Sequence, residues 1–296
     1  MNELWGAFLG FNMDTTNNKF TLMVVHAHPD DESIGTGGIL AKYSHQGMKT
    51  VVVYGTRGEA GDILNTDFVS PSPGLSIKEI RALELEKALK ILHVESTYFL
   101  GYRDSGMEGS PENLHSQAFA QADLKEATGR LVEIIRRIRP HVIVTYNEKG
   151  LYGHPDHIMA NRVTLSAFDA AGDPQFEREK KLKPWNPAKL YYTAIPIGRL
   201  QTLHKWAIES GEELGFDPQV LGTPEEKITT TVDVREHVSR KLDALFCHQS
   251  QVRSDSFFRR IPDEWRDEVF GYEHFVCVKG CGTSHRKETD LFEGLS

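Results

Sequence analysis

Short apolar runs alternate with helix-like segments along the first two thirds of the chain. Between the runs, apolar residues recur at helical spacing, most clearly from Asp123 to Arg139, where Pro140 marks the end. The runs themselves are unbroken, which predicts buried strands at residues 21–27, 50–56, 97–100, 141–146 and 189–195. A β-α-β-α order favours a mostly parallel sheet with helices on both faces. The chain is therefore predicted to adopt an α/β, Rossmann-like fold.

The last third of the chain lacks this alternation. Residues 229–234 are a candidate edge strand, and Asp233 with Glu236 is expected to cap a helix that runs through Cys247. Gly, Arg, Asp and aromatic residues follow without a clear period. We expect three parts: an N-terminal arm over 1–19, an α/β domain over 20–199, and a smaller α+β portion over 200–296 that covers the ligand site of the main domain.

Charge and cysteine content narrow the class of protein. The net charge of −8, with 26% charged residues, argues against a dedicated nucleic-acid binder. No apolar run approaches the ~18 residues that a membrane span needs, so no membrane insertion is expected. The three cysteines (Cys247, Cys277 and Cys281) are expected to form no disulfide framework, which suits a cytoplasmic location. Cys277 and Cys281 with His285 do not have the spacing of a zinc ribbon.

Two predicted strands are followed by the same tripeptide. "HPDD" begins at His28 behind the first strand, and "HPDH" begins at His154 behind the strand over 141–146. Ligands of open α/β sheets bind at the carboxyl ends of the strands. Proline favours the first turn of a helix, and residues three apart across one turn face the same way. We therefore expect each histidine to converge with the residue three positions on, Asp31 or His157.

The converging side chains are those of a catalytic metal site. Two imidazoles and one carboxylate with a free position for water are typical of catalytic zinc, and His28, Asp31 and His157 can supply that set. Fe²⁺ is an alternative that these ligands also accept. Asp30 and His154 remain beside the metal, where a carboxylate can act as general base and an imidazole can stabilise an oxyanion. The alternative explanation is an acidic first helical turn that is stabilised by the helix dipole.

At these motifs the sequence resembles the LmbE-like, or PIG-L, family of zinc-dependent N-acetylglucosamine deacetylases. The motifs that show this resemblance are "AHPDDE" (27–32) and "GHPDH" (153–157). Within the family the chain is most similar to the mycothiol-type deacetylase and amidase branch, through "TRGEAGD" (56–62) and "YRDSGM" (102–107). The resemblance is close over residues 19–171 and loose over the C-terminal third.

The resemblance implies a role for each matching residue. The zinc ligands would be His28, Asp31 and His157, the general base Asp30, and the oxyanion-stabilising residue His154. Further implied roles are the orientation of His154 by Asp156, help at the carbonyl from Tyr152, and substrate contacts from Arg81, Asp104 and Glu59. Arg57 stands where the deacetylase branch commonly has an aliphatic residue, and it adds a cation beside the substrate pocket.

Together these observations predict a metal-dependent amide hydrolase. Its substrate would be a small-molecule amino sugar of the N-acetylglucosamine type, which it would convert to acetate and a free amine. Two alternatives stay open: an amidase that cleaves a larger thiol-conjugate amide, and a non-catalytic sugar- or metal-binding module. The sequence leaves homo-oligomerisation open.

Overall fold

The computed structural model describes residues 20–176, 182–209, 217–282 and 287–296, so the expected arm over 1–19 and His285 lie outside the described residues. Seven strands of the described chain form one sheet: β1 (Thr21–His26), β2 (Lys49–Tyr54), β3 (Ser96–Phe99), β4 (Val142–Thr145), β5 (Lys189–Ala194), β6 (Thr230–Asp233) and β7 (Tyr272–Lys279). Their order is β3-β2-β1-β4-β5-β7-β6. Neighbours among β1 to β5 pair in parallel, and β7 pairs antiparallel with both β5 and β6.

Helical segments connect most of these strands. The described α-helices are α1 (Asp31–His45), α2 (Ile77–Ile91), α3 (Leu124–Ile138), α4 (Gly150–Gly153), α5 (Pro155–Ala170), α6 (Ile197–Glu209), α7 (Pro218–Leu221), α8 (Val238–Leu245), α9 (Phe257–Arg260) and α10 (Asp263–Phe270). A capping box of Ser76 and Glu79 is present at the start of α2. Asp123 caps α3 as expected, and Arg139 ends it in the left-handed region with φ 57°.

The helices cover both faces of the sheet. Leu22 and Val24 of β1 belong to one apolar cluster, while Met23 and Val25 belong to another. The first cluster takes further residues from α1, α2 and α8, and the second takes them from α3 and α5. A strand that is buried on both faces must be apolar throughout, which explains the unbroken runs in the sequence. The predicted α/β fold with a mostly parallel sheet is confirmed.

Strand β7 is a difference from the sequence prediction, which has no strand after residue 250. Its buried positions are Glu273, Phe275 and Cys277, so the inward face includes a charge. Lys241 lies 2.6 Å from the Glu273 carboxylate, which also accepts the N–H groups of Gly38 and Ile39 at 2.8 Å. A buried glutamate of this kind hides the apolar alternation by which a strand is recognised.

One other local prediction for the last third differs from the structure, namely the cap of helix α8. Helix α8 begins at Val238, after a 3₁₀ turn over Arg235–His237, and neither element has a side-chain cap. Asp233 instead accepts the backbone N–H of Arg235. Strand β6 lies at the edge of the sheet as expected. A third apolar cluster has all its buried members between Leu200 and Phe270. The division of the chain near residue 200 stays a prediction.

The cysteine prediction is wrong for one pair. Cys277, in β7, is disulfide-bonded to Cys281, and Cys247 is free. Gly280 has φ +70° and turns the chain back, so that the Cα atoms of the two cysteines are 5.7 Å apart, within the range of a disulfide. A bridge between residues so close in sequence cannot be recognised from the cysteine count. Within the described residues, no helix has the length and apolar character that crossing a membrane requires.

Candidate functional site

The two His-Pro-Asp motifs meet at one edge of the sheet. Strands β1 and β4 are parallel neighbours, with Val24 paired to Val144, so their carboxyl ends lie side by side. The first motif leads from β1 into α1, and the second lies between β4 and α5. Strands β1 and β4 are more than a hundred residues apart in sequence. Their pairing therefore brings both motifs to the same edge of the sheet.

Three histidines converge there. His28, His154 and His157 are buried and each offers a ring nitrogen within 4.8 Å of the others. His157 stacks on the Tyr146 ring at a centroid distance of 4.1 Å. Both ring nitrogens of His157 are buried without a hydrogen-bond partner in the described chain. Burial lowers the pKa of His157 to about 3, so its imidazole is neutral, the form that binds a metal.

Asp31 completes the predicted ligand set. One of its oxygens, Oδ1, lies 3.4 Å from His157 Nε2, and Oδ2 lies 3.5 Å from His28 Nδ1. Oδ2 also accepts the His28 backbone N–H at 2.8 Å and the Tyr146 hydroxyl at 2.7 Å. The structure therefore brings His28, Asp31 and His157 together and fixes the carboxylate between them.

The far side of His28 faces two more carboxylates. Its Nε2 lies 3.2 Å from Asp156 and 3.5 Å from Asp104. Burial disfavours a charged imidazole, but the hydrogen bonds and charges of Asp104, Asp156 and Asp31 raise the pKa of His28 well above its ordinary value. The pocket thus favours a positive charge at its centre. Together with the unpartnered nitrogens of His157, this donor set fits a divalent metal ion.

Asp156 contacts Ser105, His28 and His154. Its carboxylate accepts the backbone N–H of Ser105 at 2.9 Å and the Ser105 hydroxyl, besides contacting His28. His154 is reached by the Asp156 backbone N–H, which donates to His154 Nδ1 at 3.1 Å. His154 is the N-cap of α5 and Pro155 occupies the first turn, as the sequence predicts. Asp156 therefore contacts His154 through the main chain and His28 through its side chain, and the orientation of His154 by Asp156 stays a prediction.

Asp30 sits on a strained turn. It is the N-cap of α1 and has φ 112°, a conformation that residues with a Cβ rarely adopt. Its N–H donates to Glu32 Oε2 at 2.9 Å, and Arg81 reaches its Oδ2 at 3.2 Å. Burial raises the pKa of Asp30 to about 6, although the charge of Arg81 works against that rise. A carboxyl that titrates near neutrality can accept and return a proton.

Tyr152 lies at the open side of the cluster. It is 54% exposed, and its ring centroid is 5.0 Å from that of His157 and 6.1 Å from that of His154. It belongs to the one-turn helix α4, in which Leu151 has the strained pair φ 62°, ψ −84°. Burial raises the pKa of Tyr152, so the hydroxyl keeps its proton and can donate a hydrogen bond.

Arg81 and Asp104, which the resemblance implies as substrate contacts, are both buried. Arg81 is buried and donates to the carbonyls of Gly58 and Pro29, so it holds the loop around Asp30. Asp104 is buried and accepts the N–H groups of Ala60 and Gly106.

Arg57 and Glu59 lie further along the sheet edge. Both line a cavity of about 450 Å³, and Glu59 accepts the Arg57 backbone N–H.

Four positioning residues were not predicted from the sequence: Tyr146, Ser105, Glu32 and His248. Glu32 is fully buried, and its carboxylate accepts from Tyr54 and from the Asp30 N–H, and contacts His248 Nε2 at 3.0 Å. The acidic run after Asp30 could have indicated Glu32. His248 gives no such signal, because its contact spans 216 residues of sequence.

The chain is similar in sequence to known proteins. The family model PIG-L, described as GlcNAc-PI de-N-acetylase, matches residues 23–168. The 1D-myo-inositol 2-acetamido-2-deoxy-alpha-D-glucopyranoside deacetylase of Thermomonospora curvata is 39% identical over 93% of this chain and 96% of its own length. The enzyme of the same name from Nocardiopsis dassonvillei is 41% identical over 92% of this chain and 100% of its own.

Solved structures share the fold. The N,N'-diacetylchitobiose deacetylase of Pyrococcus horikoshii superposes with a TM-score of 0.61 at 22% identity, covering 92% of this chain and 88% of that one. The conserved protein TT1542 of Thermus thermophilus has a TM-score of 0.57 at 23% identity, with 89% and 96% covered. The identity and coverage of the curated relatives place this chain in the PIG-L family.

Proposed function

We propose that this chain is a divalent-metal-dependent deacetylase, most simply a zinc enzyme, that hydrolyses the acetamide of an N-acetylglucosamine glycoside. The chain is an amide-hydrolysing enzyme that acts on N-acetyl groups, in keeping with the names of its relatives. The observation that carries the proposal is the meeting of His28, Asp31 and His157 at the ends of two neighbouring strands, with Asp30 beside them.

His28, Asp31 and His157 would hold the metal. A divalent ion there supplies Lewis-acid polarisation of the acetyl carbonyl and acidifies water. The unpartnered nitrogens of His157 and the carboxylates around His28 support a cation at this point. Zinc suits a set of imidazoles and one carboxylate, and Fe²⁺ is an alternative.

Asp30 would act as the general base. Its carboxylate takes the proton from the attacking water, and it gives the proton back to the departing amine nitrogen. The raised pKa of about 6, which burial causes, suits both steps. Arg81 donates to the Asp30 carboxylate, and Glu32 accepts the Asp30 backbone N–H. Both contacts hold Asp30 in place.

His154 and Tyr152 would stabilise the oxyanion of the tetrahedral intermediate. Burial and the charge of His28 lower the pKa of His154, which favours the neutral imidazole. Its Nδ1 is engaged by the Asp156 N–H, which leaves Nε2 for the substrate oxygen. Tyr152 keeps its proton and lies at the open side of the site, where its hydroxyl can donate to the same oxygen.

The substrate would be a small amino-sugar glycoside. The curated relatives act, by name, on an inositol glycoside of N-acetylglucosamine, and a glycoside of this type is the proposed substrate here. Asp104 borders the metal ligands, and Arg81 holds the Asp30 loop next to them. The cytoplasmic location and any homo-oligomer stay predictions.

Acetate release from a methyl α-glycoside of N-acetylglucosamine, by the zinc-loaded protein, tests this function. We expect acetate and free amine in equal amounts, and loss of the activity on chelation with recovery on added Zn²⁺. A thiol-conjugate amide should be assayed side by side. A thiol-conjugate amidase would cleave the conjugate and spare the glycoside, and a binding module would cleave neither. Either result contradicts the proposal.

A further inference from the structure

A tight turn follows helix α8 and packs against α1 and α2. This segment, the 248–251 turn, is closed by the Gln251 N–H, which donates to the His248 carbonyl at 3.0 Å. His248 and Ser250 are fully buried. A buried imidazole and a buried hydroxyl need polar partners. In this turn the partners are one carboxylate of α1 and one carboxylate of α2.

The first contact joins the 248–251 turn to the main chain of Asp30. His248 Nε2 donates to Glu32 Oε1 at 3.0 Å, because an ionised carboxylate only accepts. The other oxygen, Glu32 Oε2, accepts the Asp30 N–H at 2.9 Å and the Tyr54 hydroxyl at 2.9 Å. Rotation of the carboxylate would break the hydrogen bonds on both of its oxygens. His248 therefore fixes the acceptor of the Asp30 N–H.

The second contact joins the same turn to the side chain of Asp30. The N–H and the hydroxyl of Ser250 donate to the two oxygens of Glu84 at 2.6 and 2.7 Å. Glu84 lies three residues after Arg81 in α2, so the two side chains share one face of the helix. Arg81 donates to Asp30 Oδ2 at 3.2 Å. Ser250 thus anchors the part of α2 that holds the Asp30 carboxylate.

The loop after β2 keeps the 248–251 turn itself in place. The Leu64 N–H donates to the Ser250 carbonyl at 2.8 Å, and the Asn65 side chain donates to the Gln249 carbonyl at 2.9 Å. A group can position another only if its own place is fixed. The turn meets this condition because its main chain is bound by a segment outside α1 and α2.

Asp30 needs support of this kind. Its φ of 112° is a conformation that persists only where the surroundings enforce it. A general base must also point at the proton that it takes, and a displacement of about 1 Å can cost roughly 100-fold in rate. The 248–251 turn reaches Asp30 through the main chain on one side and through the carboxylate on the other.

We propose that the 248–251 turn positions Asp30 for the reaction, with His248 and Ser250 as its two positioning residues. The inference rests on the proposed function, in which Asp30 is the general base. It gives the last third of the chain a part in the chemical step, in addition to the expected cover over the ligand site. Each of the two residues acts through one carboxylate, and neither touches substrate or metal.

Two amide substitutions at His248 test the first contact. His248→Gln places an amide N–H where Nε2 lies, whereas His248→Asn carries the same amide one methylene short of Glu32. We expect His248→Asn to lower kcat by about 10–100-fold at unchanged KM and zinc content, and His248→Gln to stay within about threefold of the wild type. Acetate release from the methyl α-glycoside and metal analysis measure these values. Equal kcat in the two variants would overturn the inference.

His237→Asn controls for a general loss of stability. His237 is a buried histidine in the same third of the chain, and it packs on His45 at the end of α1. It should therefore keep the wild-type kcat. A fall in kcat equal to that of His248→Asn would show that the effect is not particular to the turn, which contradicts the inference. Loss of zinc from His248→Asn also contradicts it, because the turn would then act on Asp31.

Serine variants test the second contact and do not depend on the folding of the histidine variants. Ser250→Ala removes the hydroxyl that donates to Glu84, and it should lower kcat by about threefold to tenfold at unchanged KM. Ser254→Ala is the matched control, because it removes a hydroxyl that donates to a different carboxylate, that of Asp67. It should keep the wild-type kcat. Equal kcat in the two serine variants would remove Ser250 from the proposal.

Amide hydrogen exchange separates this inference from the function on which it rests. The Asp30 N–H donates to a buried carboxylate, so its exchange reports the contact without any substrate. In the full chain, this hydrogen should exchange about tenfold faster in His248→Asn than in His237→Asn, and no faster in His248→Gln. Equal exchange in these variants contradicts the inference. If the wild type releases no acetate, the deacetylase function fails, and the exchange rates still decide whether the turn holds Asp30.

Discussion

The two His-Pro-Asp motifs have the same three residues and lie at neighbouring strand ends. The helix that follows begins at a different position in each motif. In the second motif His154 is the N-cap and Pro155 begins α5, so His157 follows within the first turn. In the first motif the N-cap is Asp30, two residues after His28, and α1 begins at Asp31. Helical spacing therefore brings His154 and His157 together in the second motif. In the first motif, a turn before the helix brings His28 and Asp31 together.

That shift by two residues explains where the strain lies. The chain must turn at Asp30 to bring His28 back towards Asp31, which produces the φ of 112°. A residue with a Cβ in this region costs about 1–3 kcal/mol. The hydrogen bond to Glu32 and the contact with Arg81 hold the turn. Glycine would adopt this turn easily, so the presence of an aspartate indicates that its carboxylate is needed there.

The largest expected effect is on turnover at the strained motif. Asp30→Asn should lower kcat by about 10²–10⁴-fold, because the base is lost while the shape is kept. Metal content should stay at the wild-type level, since Asp30 is not a proposed ligand. Steady-state kinetics and metal analysis of the same preparation check both statements. Asp243→Asn, at an exposed position of α8, serves as the control, and wild-type turnover by Asp30→Asn would remove the proposed base.

Substitution of a proposed metal ligand should weaken metal binding more than substitution of a residue that only holds a ligand in place. His157→Ala removes a proposed ligand and should weaken zinc binding by more than 100-fold. Tyr146→Phe removes the hydroxyl that donates to Asp31 and should cost roughly 10–100-fold. Competition with a chelating dye measures both. Tyr152→Phe is the matched control because its hydroxyl is proposed to donate to the substrate oxygen and not to a metal ligand. A metal affinity as low as that of Tyr146→Phe would contradict the assignment.

The backbone strain at Asp30 should be measurable in the free energy of unfolding. Asp30→Gly should be more stable than Asp30→Ala by about 1–2 kcal/mol, because glycine tolerates the left-handed turn. At Ile34, three residues into α1 and 44% exposed, the order should reverse by about 1 kcal/mol. Urea unfolding of the four variants gives the comparison. The same order at both positions would mean that Asp30 is not strained.

The smallest effect belongs to the second motif. Its strain lies upstream of the histidine, at Leu151. Leu151→Gly should be more stable than Leu151→Ala by about 1 kcal/mol or less, because so short a helix can relax around the change. Urea unfolding also measures this difference. A gain larger than that at Asp30 would reverse the comparison of the two motifs.

Much of the parallel sheet was predictable because its strands are buried on both faces. The runs that became β1 and β4 have no polar interruption, and their neighbourhood follows from the usual course of parallel sheets. Helix ends were predictable where a side chain caps the helix, as Ser76 and Asp123 do. The meeting of His28 with His157 followed from the position of both motifs behind the carboxyl ends of strands.

The remainder depends on contacts that no local pattern encodes. Glu273 is polar in sequence and buried in the structure, because Lys241 neutralises it from another element. His248 joins Glu32 through folding alone. The Asp156 carboxylate turns to Ser105 because that residue offers it both a hydroxyl and an N–H, whereas His154 is already satisfied by the main chain.

The contact between Glu32 and His248 has a consequence for biosynthesis. The two residues are 216 positions apart, and translation at about 5–20 residues per second would separate their emergence by roughly 10–40 s. During that interval the nascent amino-terminal portion holds a carboxylate whose imidazole has not yet been made. We therefore expect ribosome-bound chains that end before His248 to be inactive and susceptible to proteases, with competence acquired only as the final strands join the sheet.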